Sequence, residues 1–211
     1  MIEESFSSSH DGKCSTSDLG MVVTAFPDAT EAGKKMLELG GNAVDAACSA
    51  ALALGVCEPQ GSGIGGQSVA ILHINGQTIA IDGSSKAPAL AHSSAFLNDA
   101  ERKYGYKAIT IPTTLAVLGY LNEKFGKLSW ETIVQPAIDI ASNGYRITEL
   151  QSALFKRELG NFLAVPSQTG AQYFLKNGKI PYNPGDLLTQ PDLAATLSEI
   201  AEHGYLSFYS G

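Results

Sequence analysis

The chain has 211 residues, a formal net charge of −7 and 44% hydrophobic residues, which is enough apolar content for a sizeable core. Its 14 Lys and Arg residues are scattered, so we expect no nucleic-acid partner, because a surface that follows phosphates needs clustered cations. No run of about 18 apolar residues occurs, and the sequence therefore predicts no membrane span.

Residues 1–19 are polar and acidic, and they lack the basic and apolar regions of a signal peptide. We interpret them as a disordered leader, followed by a domain portion over residues 20–211. The missing signal peptide favours a cytoplasmic location. Cys14, Cys48 and Cys57 form no C-x-x-C pair, so we expect neither a zinc site nor a disulfide framework. The second and third cysteines are interpreted as packing residues.

The first predicted elements are a strand and two helices. Residues 21–27, MVVTAFP, form a β-branched run that predicts a buried strand. Pro27 suits the first turn of a helix that is predicted to end near Leu39. Asn42 is a good N-cap for a second helix, which is rich in Ala and nearly uncharged as far as Gly55. A helix that is apolar all round is predicted to be buried.

A glycine-rich loop follows the second helix, and its candidate structural glycines are Gly61, Gly63, Gly65 and Gly66. They match the G-x-G-x-x-G spacing of dinucleotide-binding loops, but those loops follow a strand and open a helix. Here the predicted order is helix, loop, strand, and no G-x-x-x-x-G-K-[ST] motif occurs, so a phosphate cradle is not expected. The loop is interpreted instead as a tight turn that lets a helix and a sheet pack closely.

Strands are predicted at about 68–74 and 77–82, because Asn75-Gly76 between apolar runs is a strong hairpin signal. The rest of the chain is predicted to be mainly helical, with helices at 92–102, 113–125, 129–143, 148–160 and 190–203. Ser129 and Gly144 are the predicted N-cap and stop signal of the helix at 129–143. Residues 161–189 are irregular in pattern and predict no regular element. No histidine has a partner at a spacing that indicates catalysis or metal binding.

Several motifs, in a fixed order, resemble those of the gamma-glutamyltransferase family. They are GGNAVDAA at Gly40–Ala47, Glu58-Pro59, SGIGG at Ser62–Gly66, KFGKLSWETIVQPAIDIASNGYRIT, and PGDLLTQPDLAATLSEIAEHGYLSFYSG. The resemblance covers about residues 20–211. It implies an α+β fold, the αββα sandwich of an N-terminal nucleophile hydrolase, of which this chain is an incomplete large-subunit portion.

The resemblance also implies a reaction. Family members are precursors that cut themselves before a Thr, which then serves as nucleophile with its own α-amino group as base. A γ-glutamyl group, usually from glutathione, forms an acyl-enzyme that water or an amine resolves. No T-T-H-x-S motif occurs here. We therefore expect this chain alone to be inactive and to need a small subunit or C-terminal segment that carries the Thr. No cofactor or metal is implied.

One departure from the family concerns substrate binding. The family's D-x-R-E-x-A-P segment carries an Arg that pairs with the α-carboxylate of the γ-glutamyl group. Here the segment is DGSSKAP, with Ser84 at the Arg position and Ser85 at the Glu position. Lys86 is a candidate replacement if strand alternation puts it on the side of Ser84. These three residues are the candidate substrate-binding set, and the alternative is an ordinary hairpin exit loop.

Three interpretations of function follow. The first is γ-glutamyl transfer or hydrolysis of glutathione-like amides. The second is a related amide or acyl hydrolase with another substrate, because Ser84 replaces the Arg. The third is a non-catalytic relative or fragment. Gln67 and Ser68 in place of family glycines, and TIPTT at Thr110–Thr114 in place of G-x-P-G, also indicate a divergent branch. Expressed alone, residues 1–211 are expected to dissolve poorly because a sheet edge is exposed.

Overall fold

The computed structural model describes residues 14–96, 98–103, 105–164 and 169–210, so most of the predicted leader lies outside the described residues. In chain order the elements are α1 (Pro27–Glu38), α2 (Ala43–Cys57), β1 (Ser68–Ile74), β2 (Gln77–Gly83), α3 (Thr114–Phe125), α4 (Trp130–Asn143), β3 (Tyr145–Arg146), α5 (Glu149–Ala164), α6 (Thr169–Phe174), β4 (Leu187–Leu188), α7 (Pro191–His203) and α8 (Ser207–Ser210). The α+β class is confirmed.

The Ala-rich helix α2 lies at the centre of the fold and packs against α1, α3 and α4. It is buried as predicted, because its small side chains let neighbouring helices approach. The Asn42 side chain caps it by accepting hydrogen bonds from the backbone of Val44 and Asp45. The main apolar cluster is completed by residues of the surrounding helices, including Met36, Leu115, Ile133 and Leu197.

The buried carboxylate of Asp45 ties the start of α2 to the turn between α3 and α4. Its two oxygens each accept from the backbone N–H of Lys127 at 3.0 Å, and Oδ2 accepts from that of Asn42 at 2.8 Å. Oδ1 also accepts from Leu128 N at 3.3 Å and from Asn122 Nδ2 at 3.4 Å. A buried charge needs such partners, since an unpaired one is strongly disfavoured. Asp45 therefore fixes the spacing of these two segments.

The hairpin of β1 and β2 is confirmed, with Asn75 and Gly76 at its turn in the left-handed region. One face of the hairpin packs on the core through residues such as Ile81. The opposite face is open to solvent, where Val69 is 70% and Ile71 is 76% exposed. The hairpin and the helices therefore form two layers, and the helices cover only one face of the hairpin.

Two predicted elements are wrong. The predicted strand at 21–27 pairs with no strand in the described part of the chain, and Pro27 already belongs to α1. Residues 21–26 keep the alternating pattern, but a strand is stabilised by its neighbours, and no neighbour is present among the described residues. The predicted helix at 92–102 is replaced by short 3-10 segments at Ser93–Ala95 and Asp99–Arg102. Ser and Asp in this segment favour turns over helix interiors.

The other predicted helices are confirmed, with shifted ends. Ser129 caps α4 by accepting from Thr132 N at 3.3 Å, and Gly144 follows that helix at a φ of 83°. Helix α5 extends beyond its predicted end at 160. Helix α6 and strand β4 lie in the segment predicted to be irregular, and β4 pairs in antiparallel fashion with β3, which lies between two predicted helices. Strands of two residues carry no periodic signal, so the sequence pattern does not reveal them.

Candidate functional site

Three segments meet at one end of the β1–β2 hairpin, and we call this meeting point the loop junction: residues 61–67, residues 82–86 and the start of α3. Thr113 N and Thr114 N donate to the carbonyl of Gly66 at 2.9 and 3.3 Å. The hydroxyl of Thr113 donates to the carbonyl of Gly83. These hydrogen bonds hold the end of the glycine loop and the end of β2 against the same helix terminus.

The glycine loop joins α2 to β1, as predicted, and lines an open cavity of about 540 Å³. A Cβ added at Gly63 or Gly65 would meet nothing within 4 Å, and one at Gly66 would make ordinary contacts of 3.5 Å. A tight approach occurs at Gly55, whose added Cβ would lie 3.3 Å from the Cα of Gly63. A Cβ added at Gly61 would lie 3.1 Å from Oε1 of Glu58. Close packing thus involves the Gly55–Gly63 contact and Gly61, while Gly63, Gly65 and Gly66 leave space for an added Cβ.

The observed order of helix, loop and strand agrees with the rejection of a dinucleotide loop. The positive end of α3 is also occupied by the chain itself. Thr114 N donates to Gly66 O, and Ala116 N donates to the hydroxyl of Tyr209 at 3.1 Å. A helix terminus binds an anion through free N–H groups, so these bonds reduce what α3 offers to one.

Ser84, which the resemblance aligns with a substrate-binding Arg, is bonded within its own loop. Its backbone N and its hydroxyl both donate to Oδ1 of Asp82, at 2.9 and 2.6 Å. The hydrogen bonds from the Ser84 side chain and backbone lower the pKa of Asp82. The residue at this position therefore stabilises an ionised carboxylate of the protein itself.

Ser85 is held by a side chain from the glycine loop, since its backbone N donates to Oε1 of Gln67 at 2.9 Å. Lys86 pairs through its backbone with Ile111, and the two N···O distances are 3.3 and 2.8 Å. Strand β2 ends at Gly83, so the regular alternation that would put Lys86 beside Ser84 is interrupted. The substrate-binding role of residues 84–86 stays a prediction.

Gln67 and Thr113 are junction residues that were not among the predicted site residues. Each forms hydrogen bonds to segments distant in sequence, Gln67 to Ser85 and Thr113 to Gly66 and Gly83. The sequence did contain a signal for both residues. Gln67 lies in GGQS and Thr113 in TIPTT, the two motifs that depart from the family pattern.

The buried cysteines are packing residues, as predicted. Cys48 and Cys57 are both 0% exposed. Burial, with further contributions from Asp45 near Cys48 and from Asp28 near Cys57, raises the pKa of each thiol to about 12. A thiol must lose its proton to act as a nucleophile, so neither cysteine is a candidate for covalent catalysis.

Two histidines in the described ranges, His73 and His92, make local contacts. A ring nitrogen of His73 lies 3.0 Å from the hydroxyl of Thr78, and one of His92 lies 2.9 Å from that of Ser94. Within the same ranges no three His, Cys, Asp or Glu side chains group as metal ligands would. None of the helices described there is both long enough and apolar enough to cross a bilayer. The cellular compartment stays a prediction.

The Gamma-glutamyltranspeptidase family model matches residues 29–211 of the chain. The glutathione hydrolase proenzyme of Bacillus subtilis (strain 168) is 36% identical over 203 residues, which cover 91% of this chain and 34% of that protein. The acylase ACY 1 proenzyme of Pseudomonas sp. (strain V22) is 33% identical over 212 residues, covering 94% of this chain and 38% of that protein. The chain thus spans about a third of the length of these relatives.

The fold comparison agrees with the sequence comparison. The crystal structure of Helicobacter pylori gamma-glutamyltranspeptidase superposes with a TM-score of 0.88 and 36% sequence identity, covering 94% of this chain and 58% of that chain. The ordered motifs, the helix–loop–hairpin arrangement and this superposition point to one conclusion. The chain belongs to the gamma-glutamyltranspeptidase family and forms part of its N-terminal nucleophile hydrolase fold.

Proposed function

We propose that the complete protein containing this chain is an amide hydrolase and acyl transferase that uses an N-terminal Thr nucleophile. The observation that carries the proposal is the match to the family over residues 29–211. Relatives are named glutathione hydrolase proenzyme, so γ-glutamyl amides such as glutathione are the first candidate donors. The word proenzyme supports activation by self-cleavage, which would create the new N-terminal Thr.

In the proposed reaction the Thr hydroxyl attacks the amide carbonyl of the donor while the α-amino group of the same Thr takes the hydroxyl proton. The amine leaves with that proton, and an acyl ester remains on the Thr. Water or an acceptor amine then attacks the ester and releases the Thr hydroxyl. The contribution of this chain is the wall formed by the loop junction, which would hold the acyl group near the nucleophile.

The partner we propose is the segment that carries the Thr, whether as a small subunit or as a later part of the polypeptide. The open face of the hairpin supports this pairing, because Val69 and Ile71 are both exposed on the same face of β1. A second sheet packed on that face, about 10 Å away, would bury these side chains and complete the αββα sandwich.

A second donor class is favoured by one specific observation, the hydrogen bond of Ser84 to Asp82. A serine bonded to a carboxylate cannot form the bidentate pair that an Arg makes with an amino-acid head group. Another relative is named acylase ACY 1 proenzyme, which is consistent with other acyl amides as donors. A non-catalytic relative is the third interpretation, and the experiment below separates it from both enzymes.

We expect the full-length protein to release p-nitroaniline slowly from γ-glutamyl-p-nitroanilide. The Ser84→Arg variant should raise kcat/KM about tenfold or more, since a hydrogen bond to a charged group contributes roughly 1.5–3 kcal/mol. Ser142→Arg, at an exposed position of α4, is the matched control and should change nothing. The assay is steady-state release monitored by absorbance.

Fast release by the wild type would favour γ-glutamyl donors, with Lys86 or another residue binding the carboxylate. No release by either protein, together with an uncut precursor, would contradict both enzymatic interpretations and favour the non-catalytic one. A gain in the variant alone would favour the second donor class.

A further inference from the structure

We propose that Gln67 selects an acyl donor whose head group is an uncharged hydrogen-bonding group, such as a carboxamide, over one that ends in a carboxylate. The inference rests on the function proposed above and assigns the donor class within it. It follows from the position of Gln67 and from the charges of the hairpin exit, residues 82–86. It also follows from the hydrogen bonds that already occupy backbone N–H groups at the start of α3.

Gln67 lies where the glycine-loop cavity meets the hairpin exit. It lines the cavity of about 540 Å³ together with Ser62, Gly65 and Thr114. Its Oε1 accepts from Ser85 N at 2.9 Å, which fixes one end of the amide group. Its amide nitrogen, Nε2, has no hydrogen-bond partner in the described part of the chain. An amide that is anchored through its oxygen presents two N–H donors to a ligand, and a carbonyl oxygen is a suitable acceptor.

The neighbouring groups of the hairpin exit disfavour a carboxylate. Asp82 is held in its ionised form by Ser84, one residue from the anchored Ser85. A carboxylate ligand carries only acceptors, so it could not donate to the oxygens of Asp82 and Ser84. The hydroxyl proton of Ser84 is already donated to Asp82, so the Ser84 oxygen is left as an acceptor. The hydrogen bond between Gln67 and Ser85 brings the donors of Gln67 next to the acceptors of Ser84 and Asp82, and a carboxamide complements both.

The loop junction offers little positive charge to an anionic ligand. The first turn of α3 is satisfied by Gly66 O and by the hydroxyl of Tyr209, so it offers fewer N–H groups to an anion. Lys86 is the cation of the segment, and its side chain is exposed to water. An exposed ammonium contributes little to the binding of a carboxylate because water and salt screen it. A neutral head group therefore fits the junction better than an anionic one.

The test uses the full-length protein and two p-nitroanilides of the same length, one with a glutaryl group ending in a carboxylate and one with the corresponding terminal carboxamide. We expect the wild type to hydrolyse the carboxamide with the higher kcat/KM. Gln67→Ala should lower the ratio of the carboxamide to the carboxylate kcat/KM about fivefold, the size expected for one hydrogen bond. Gln77→Ala, at the far end of the hairpin, is the control and should leave the ratio unchanged.

Self-cleavage of each protein, read on a denaturing gel, separates the outcomes. A cleaved wild type that prefers the carboxylate overturns the inference and leaves the proposed function standing. A ratio that is unchanged in cleaved Gln67→Ala, or release from neither anilide by a cleaved protein, also overturns it. An uncut wild-type precursor contradicts the proposed function and the inference together. If the preference for a carboxylate disappears in Lys86→Ala, that lysine is the selecting residue instead.

Discussion

Asp45→Ala is expected to lower the free energy of unfolding by about 3–5 kcal/mol. The variant removes a carboxylate that accepts from three backbone N–H groups and from Asn122, and it leaves the three part-buried backbone donors without this acceptor. Each unsatisfied buried donor costs about 1–3 kcal/mol. Effects of this size are confined to a few mechanisms, of which a broken buried polar network is one.

The measurement for Asp45 is urea unfolding of the full-length protein, compared with Asp139→Ala. Asp139 is exposed on α4 and accepts one hydrogen bond from its helix neighbour Gln135. Its replacement should change stability by no more than about 0.5 kcal/mol. A loss below about 1 kcal/mol for Asp45→Ala would show that the turn after α3 finds other acceptors, and the proposed tie between α2 and that turn would be wrong.

Gly83→Val should damage both stability and activity. A Cβ at this position would lie 2.2 Å from Cγ2 of Val117 and 2.6 Å from the carbonyl oxygen of Ser68, which is the strand partner of Gly83. Val117 is buried in α3 and the other neighbour is backbone, so the hairpin must move away from the helix. Overpacking of this kind costs about 1–3 kcal/mol or more.

The same movement should open the loop junction, because the Gly83 carbonyl accepts from the Thr113 hydroxyl. We expect kcat/KM for the preferred anilide to fall at least about tenfold, since small misplacements of a binding wall have large effects on rate. Gly160→Ala in α5 is the control, because its added Cβ meets nothing within 4 Å. Equal activity of Gly83→Val and the wild type would show that the junction does not position the donor.

Elements with strong local signals could be predicted from the sequence. The Ala-rich run after Asn42 predicted α2, and Asn75-Gly76 predicted the hairpin turn. Ser129 and Gly144 predicted the two ends of α4. These features depend on residues within a few positions of one another. By contrast, residues 21–26 have the composition of a strand, but pairing requires a neighbour that local sequence does not reveal.

The candidate site could be predicted in part. Motif comparison drew attention to the glycine loop and to Ser84, but the contacts that define the junction are long-range. Gln67 meets Ser85 across 18 positions, and Thr113 meets Gly83 across 30. No periodicity or spacing rule links residues so far apart, so the anchoring of Gln67 appears only in three dimensions. The bond of Ser84 to Asp82 is local, because an Asp side chain often accepts from the backbone two residues on.

The central proposal is that this chain is part of a self-cleaving hydrolase, and intact mass with N-terminal sequencing of the purified full-length protein tests it most directly. We expect two chains, the first containing the residues described above and the second beginning with Thr. A single uncut chain that also fails to hydrolyse the anilides would contradict the claim.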